Sequence, residues 1–207
     1  AMHFMDELHP VAKRVAAINT IVVQPDGRLL GMNNDGAGYI QSLRDADPSW
    51  RGDAGPALVL GAGGAARAIV VALLDEGVPE LRITNRTLER AQVLANDFGD
   101  RVKVLPWSDR HEAMAGVSLL VNTTSLGMHG QPPLDVALDA LPLAAMVSDA
   151  IYIPMETPLL TLARLRGQRT VNGLGMLINQ ARPAFASWFG VMPDITPELR
   201  AAIQATF

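Results

Sequence analysis

A short apolar strand, Ala57-Leu58-Val59-Leu60, runs directly into Gly61-Ala62-Gly63-Gly64-Ala65-Ala66 and then into an apolar helical stretch. This junction fits the G-x-G-x-x-G/A pattern of dinucleotide-binding βαβ units in its required strand-to-helix setting. Each small residue has a steric reason. Gly61 permits the tight turn, Gly63 lets the backbone approach a diphosphate, and Ala66 lets helix and strand pack closely. The first amides of the helix and the positive end of its dipole then face the anion. A chain carrying this junction is constrained to an α/β fold with a doubly wound parallel sheet of Rossmann type.

The order of segments agrees. After residue 57 the sequence predicts strands at 57–60, 81–84, 102–105, 117–121, 146–151 and 169–171, alternating with helices at 63–76, 88–98, 157–166 and 175–189. That alternation defines βαβ units. A closing helix is expected at 196–206, with Pro197 at a natural first-turn position. Ahead of the junction the pattern differs. Residues 5–17 have helical spacing through Leu8, Val11 and Val15, and 18–23 and 29–30 read as a hairpin around Asp26-Gly27. Asn33-Asn34-Asp35-Gly36 is a cluster of turn formers. Residues 46–56 carry Pro48, Pro56, Gly52 and Gly55 with little periodicity and read as a linker. The expected organisation is therefore the remnant of an N-terminal α/β unit at 1–45, the linker at 46–56, a Rossmann domain at 57–190, and a C-terminal helix at 191–207 returning toward the first unit.

Composition narrows the function. A net charge of −4 with scattered basic residues leaves no electrostatic footprint for nucleic acid. The absence of cysteine excludes disulfides, zinc–thiolate sites and thiol nucleophiles, and fits a cytoplasmic protein. No apolar run approaches the roughly 20 residues that span a bilayer, so no membrane partner is expected. The histidines, His3, His9, His111 and His129, have no metal-ligand spacing. Oligomeric state is not legible.

About 20 residues past the Gly-rich turn, NAD-binding Rossmann domains place an acidic residue on the ribose hydroxyls. Here Asn85-Arg86-Thr87 stands there, with Arg90 one turn further on. A carboxylate would repel a 2′-phosphate, whereas a guanidinium fork and a hydroxyl bind it, which favours NADP over NAD. Arginine at a helix start otherwise opposes the dipole, so an anion is the better explanation than a solvated surface.

Taken together, Ala17-Ile18-Asn19-Thr20, Asn34-Asp35-Gly36, Gly61 to Ala66, Asn85-Arg86-Thr87, Asn122-Thr123-Thr124-Ser125, Tyr152 with Pro154 and Thr157-Pro158-Leu159-Leu160, and Gly173-Leu174-Gly175-Met176-Leu177 with Gln180 resemble the motifs of the shikimate dehydrogenase family in the same order. The resemblance implies reversible NADP-dependent reduction of 3-dehydroshikimate to shikimate, a step of aromatic amino-acid synthesis. It implies that Asn19 and Asp35 bind ring hydroxyls, Asp35 also being the acidic half of a Lys–Asp catalytic pair. It implies that Gln180 and Tyr152 contact substrate, and that Thr123, Ser125, Gly173 and Met176 line the nicotinamide side. Gly61, Ala62, Gly63, Gly64, Ala65, Ala66, Asn85, Arg86, Thr87 and Arg90 would hold the rest of the cofactor.

The family's catalytic lysine lies ahead of the Ala-x-Asn-Thr segment, and neither Lys13 nor Lys103 matches it. The expectation is a truncated chain that begins just after that lysine, binds NADP(H) and turns over shikimate poorly or not at all, with the missing segment a candidate partner. General acid–base catalysis contributes roughly 10²–10⁴-fold, which sets the size of that loss. Alternatives are a paralogue acting on quinate or another substrate, a noncatalytic NADP-binding module, and another Rossmann reductase such as a methylene-tetrahydrofolate dehydrogenase or glutamyl-tRNA reductase. Residues 34–36 and 175–180 count against the last.

Overall fold

The computed structural model describes residues 1–206; Phe207, the last residue of the expected C-terminal unit, lies outside the described residues. Two sheets organise the chain. The smaller has the order β1-β3-β2, with β1 (Glu7–Leu8) parallel and β2 (Thr20–Val23) antiparallel to β3 (Leu29–Met32). The larger is wholly parallel, β4 (Ala57–Leu60), β5 (Leu81–Thr84), β6 (Val102–Leu105), β7 (Leu119–Asn122), β8 (Met146–Asp149) and β9 (Thr170–Val171), in the order β6-β5-β4-β7-β8-β9. Numbered from β4, this is the 3-2-1-4-5-6 order of a doubly wound sheet, and its switch point falls between β4 and β7.

Every residue of β4, β7 and β8 is buried, because helices cover both faces. Side chains alternate between two cores. Ala57 and Val59 face the core shared with the helices α3 (Gly64–Asp75) and α4 (Leu88–Phe98), while Leu58 and Leu60 face the one shared with α5 (Pro158–Leu165). Thr157 caps α5 with its hydroxyl, and Asn172 caps α6 (Gly173–Phe189) with its side-chain oxygen. Thr196 does the same for α7 (Pro197–Gln204).

Two regions upstream of β4 depart from expectation. The helix anticipated over 5–17 is confined to α1 (Pro10–Val15), because Glu7 and Leu8 pair with Leu30 and Gly31 and Pro10 then starts the helix at its first turn. The turn formers at 33–36 open the twelve-residue helix α2 (Asp35–Ala46). α2 precedes the Pro- and Gly-rich segment, yet Tyr39, Ile40 and Leu43 sit in the core of the larger sheet. Glycines let α2 approach α6: a Cβ on Gly38 would lie 2.5 Å from the Gln180 backbone nitrogen, and one on Gly175 would lie 2.8 Å from the Ser42 Cβ.

Candidate functional site

The C-terminal ends of β4 and β7 converge on the Gly-rich turn. Gly61 has φ +108°, a region that favours glycine, and a Cβ there would also sit 2.5 Å from the Thr123 hydroxyl. That hydroxyl donates to the Leu60 carbonyl at 2.8 Å, so Thr123 locks the turn from the neighbouring strand. Gly63 and Gly64 are exposed, and a Cβ on either would meet nothing within 4 Å. The glycines therefore leave room that no protein atom uses. Gly63 caps α3 without a side-chain bond, and the first turn carries no acid, so the leading amides point outward without acceptors from the helix. These features fit a diphosphate, with Ala62 and Ala65 flanking it and Ala66 fully buried against the strand.

Beyond β5, Asn85 donates from its amide to the Thr87 carbonyl at 2.7 Å and fixes the turn that presents Arg86. Arg86, Thr87 and Arg90 are exposed. Nearly every arginine of the chain holds a carboxylate or a backbone carbonyl; among the described residues only Arg86, Arg90 and Arg200 hold neither. Two of these three lie where a ribose phosphate would be read.

The ends of β7 and β8 share a buried polar network. Asn122 donates to Asp149 at 3.0 Å, and its own carbonyl accepts from the amide and hydroxyl of Thr124 at 3.0 and 2.8 Å. Asp149 also accepts from the Ile151 amide at 3.1 Å and from the Thr157 hydroxyl at 2.7 Å. Burial pushes the Asp149 carboxyl above the ordinary carboxylate range, and the hydrogen bonds from Thr157, Ile151 and Asn122 oppose that shift. The network fixes both loops that carry expected site residues: Ser125, exposed after β7, and Tyr152, half-buried after β8. Gly173 brings α6 against the second loop, since a Cβ there would collide with the Ala150 carbonyl. Met176 packs in the core one turn before Gln180.

On the other side of α6, Asn19, Thr20, Asp35, Leu177, Gln180, Ala181, Ala184 and Trp188 line a cleft of ≈ 360 Å³. That volume suits a small polar metabolite. The Asn19 amide donates to Asp35 Oδ1 at 2.8 Å, and its carbonyl accepts from the Thr20 hydroxyl and the Asn34 amide, each at 3.1 Å. Asn19 is exposed to the cleft, and these partners supply the hydrogen-bonding reason an amide in an apolar stretch calls for. One Asn19 amide hydrogen and Asp35 Oδ2 remain turned to other partners, a donor and an acceptor side by side. Lys13 on α1 and Lys103 on β6 are exposed, and neither lines this cleft. Trp188, which sequence reasoning passed over as ordinary helix, closes one end and donates its indole N–H to the Ile21 carbonyl at 2.9 Å.

A doubly wound sheet with a Gly-rich turn at its switch point places the chain among Rossmann-type dinucleotide-binding proteins. Comparison with known proteins goes further. Residues 52–128 match the shikimate / quinate 5-dehydrogenase family and residues 173–204 the shikimate 5′-dehydrogenase C-terminal domain. An NADP(+) shikimate dehydrogenase of Paramagnetospirillum magneticum is 50% identical over 202 residues, spanning 98% of this chain and 73% of that protein. The structure is similar to quinate dehydrogenase from Corynebacterium glutamicum in complex with NAD, at TM-score 0.90 and 30% identity over 99% of this chain and 73% of that one. It is also similar to shikimate 5-dehydrogenase from Thermus thermophilus in complex with NADP(H) and shikimate, at TM-score 0.84 and 34% identity over 100% and 74% of the two chains. The chain belongs to the shikimate/quinate dehydrogenase family.

Proposed function

We propose that the chain serves the NADP(H)-dependent interconversion of 3-dehydroshikimate and shikimate. The observation that carries the reading is the pair Arg86 and Arg90 at the end of β5, exposed and without a carboxylate. Among the similar structures, the quinate dehydrogenase is in complex with NAD, and shikimate 5-dehydrogenases are in complex with NADP(H) in one case and with NAD in another. A 2′-phosphate is what distinguishes the two cofactors, and two free guanidinium groups at the ribose position favour the phosphorylated one. The curated relatives of comparable identity carry the same NADP(+) designation.

In this reading the cofactor supplies or accepts the hydride. The chain's residues do the rest. The amides of residues 64–66 face the diphosphate, with Gly61 and Gly63 allowing the approach. Asn85, Arg86, Thr87 and Arg90 hold the ribose phosphate. Thr123, Ser125, Gly173 and Met176 form or support the wall beside the nicotinamide, and Tyr152 reaches from the β8 loop between cofactor and substrate. Asn19 and Asp35 take ring hydroxyls with the donor and acceptor left over from their mutual bond, and Gln180 closes the opposite wall from α6. Asp35 is the carboxylate of the proton-transfer pair that the family resemblance implies. We place this work in the cytoplasm.

Titration of NADPH and NADH by cofactor fluorescence, with parent protein and Arg86→Ala, tests the reading. Losing charge-assisted hydrogen bonds worth about 1.5–3 kcal/mol should weaken NADPH roughly 10–150-fold and leave NADH within twofold. Equal affinity for the two cofactors in the parent would refute it. A second titration with shikimate and quinate, followed by tryptophan fluorescence, to which Trp188 contributes from the cleft, separates the two substrates.

A further inference from the structure

Arg67 lies in the first turn of α3, its amide bonded to the Gly63 carbonyl at 3.1 Å, yet its guanidinium does not face the Gly-rich turn. It reaches across to the end of α1. Nε donates to the Val15 carbonyl at 2.6 Å and Nη2 to the Arg14 carbonyl at 3.4 Å. Nη1 pairs with Asp97 at 2.6 Å, and the guanidinium carbon stands 5.1 Å from the Phe98 ring centroid on α4. The side chain is only 20% exposed.

The carbonyls it takes are among the last of α1, which have no acceptor role left inside a six-residue helix. Immediately after them, Ala16 adopts φ 55°, an unusual conformation for a residue with a Cβ. The chain then proceeds through Ala17, whose carbonyl accepts from the Asn33 amide at 3.3 Å, to Asn19. Asn33 in turn accepts from the Asp35 amide at 3.1 Å. Asn19 and Asp35, on one wall of the cleft, thus hang from the segment Arg67 pins, one along the chain and one through Asn33.

We propose that Arg67 is a positioning residue through which the cofactor helix sets the Asn19–Asp35 wall of the substrate cleft. A second tie, Arg14 to Asp75 at 2.9 Å, is about half exposed and screened by solvent. The small apolar contact of Val15 with Ala68 and Val71 holds α1 on α3 without Arg67, so the fold survives its removal. Lysine at 67 keeps one donor for Val15 but cannot serve Asp97 and both carbonyls in one plane.

Its ligand half rests on the proposed function; its structural half does not. Hydrogen exchange of the ligand-free full chain is compared for parent, Arg67→Ala and Arg67→Lys. The alanine variant should speed exchange at the amides of 16–19 and 33–35 about tenfold or more, with 58–66 unchanged and lysine intermediate, as expected when local opening is eased by the loss of a charged hydrogen bond. Shikimate affinity, read by tryptophan fluorescence, should fall about tenfold while NADPH affinity stays within twofold. Unchanged exchange at 16–19 and 33–35, or a parallel loss of both ligands, overturns the proposal. If the parent binds NADPH and no shikimate, the proposed function fails, and the exchange pattern alone still decides for or against Arg67.

Discussion

Replacing Gly63 with alanine separates what the Gly-rich turn does for the fold from what it does for a ligand. Its φ and ψ of −91° and −168° are open to any residue, and the added methyl meets no protein atom within 4 Å. Restricting the unfolded chain stabilises by about 0.4–1 kcal/mol, and alanine is a poorer helix cap by a similar amount, so the net change in folding should lie within about 0.5 kcal/mol of zero. For a bound diphosphate the same methyl occupies the approach path. Displacing the anion from one or two amides removes charge-assisted hydrogen bonds worth about 1.5–3 kcal/mol each. A loss of about 2–3 kcal/mol corresponds to a factor of roughly 30–150 in Kd. NADPH fluorescence titration beside urea denaturation reads both quantities on one sample. An alanine variant that is as stable as the parent and binds NADPH equally well would refute the assignment of this turn as the diphosphate cradle. Gly61→Ala is the internal contrast, because φ +108° and the 2.5 Å approach to Thr123 make it destabilising before any ligand is added.

Two further outcomes follow from packing and charge. In Gly38→Ala the gain in helix propensity of about 1 kcal/mol is opposed by a methyl 2.5 Å from the Gln180 backbone, which forces α2 and α6 apart by about 1 Å. Overpacking costs about 1–3 kcal/mol, so urea denaturation should show net destabilisation and shikimate affinity should fall more than NADPH affinity; an unchanged or higher midpoint sinks the argument. For Asp149, burial raises the native pKa above the unfolded value of about 3.9, so the native state holds more protons between those two values. Its contribution to stability is complete below the unfolded pKa and declines as pH rises through the native one. The stability of Asp149→Asn relative to the parent, measured by denaturation from about pH 3.5 to 8, should therefore rise with pH and then level off, whereas a relative decline contradicts the assignment.

The larger sheet was legible because buried parallel strands read as short apolar runs separated by helical ones, and β4 to β9 fall within a few residues of where the sequence puts them. The Gly-rich turn was legible because its chemistry is local. α2 was not, since Gly36 and Gly38 lower helix propensity and Asn33-Asn34-Asp35 favours turns; the glycines are there for contact with Ala68 on α3 and Gln180 on α6, which only tertiary structure reveals. The pairing of β1 with β3 was hidden for a similar reason, two residues being too few to show a period. At the site, Asn19, Asp35 and Gln180 were found through family resemblance and meet at one cleft. The role of Asp149 was not legible because a carboxylate at a strand end looks like an ordinary loop boundary until its donors, Ile151 and Thr157 just after it and Asn122 from the neighbouring strand, are seen around it.

α2 also bears on how such chains can be recombined. Its first residue is a wall of the cleft, while Tyr39, Ile40 and Leu43 further along it belong to the hydrophobic interior of the larger sheet. A chimera joined in the Pro- and Gly-rich stretch 46–56 would inherit a foreign helix in that interior. One joined just ahead of residue 34 would carry the helix with its own sheet and ask the incoming half to supply Asn19 at the right height, the end of α1 to Arg67 and the Ile21 carbonyl to Trp188. The seam that tolerates exchange between relatives is therefore set by where the interior begins, and the most flexible-looking piece of sequence lies a whole helix too late.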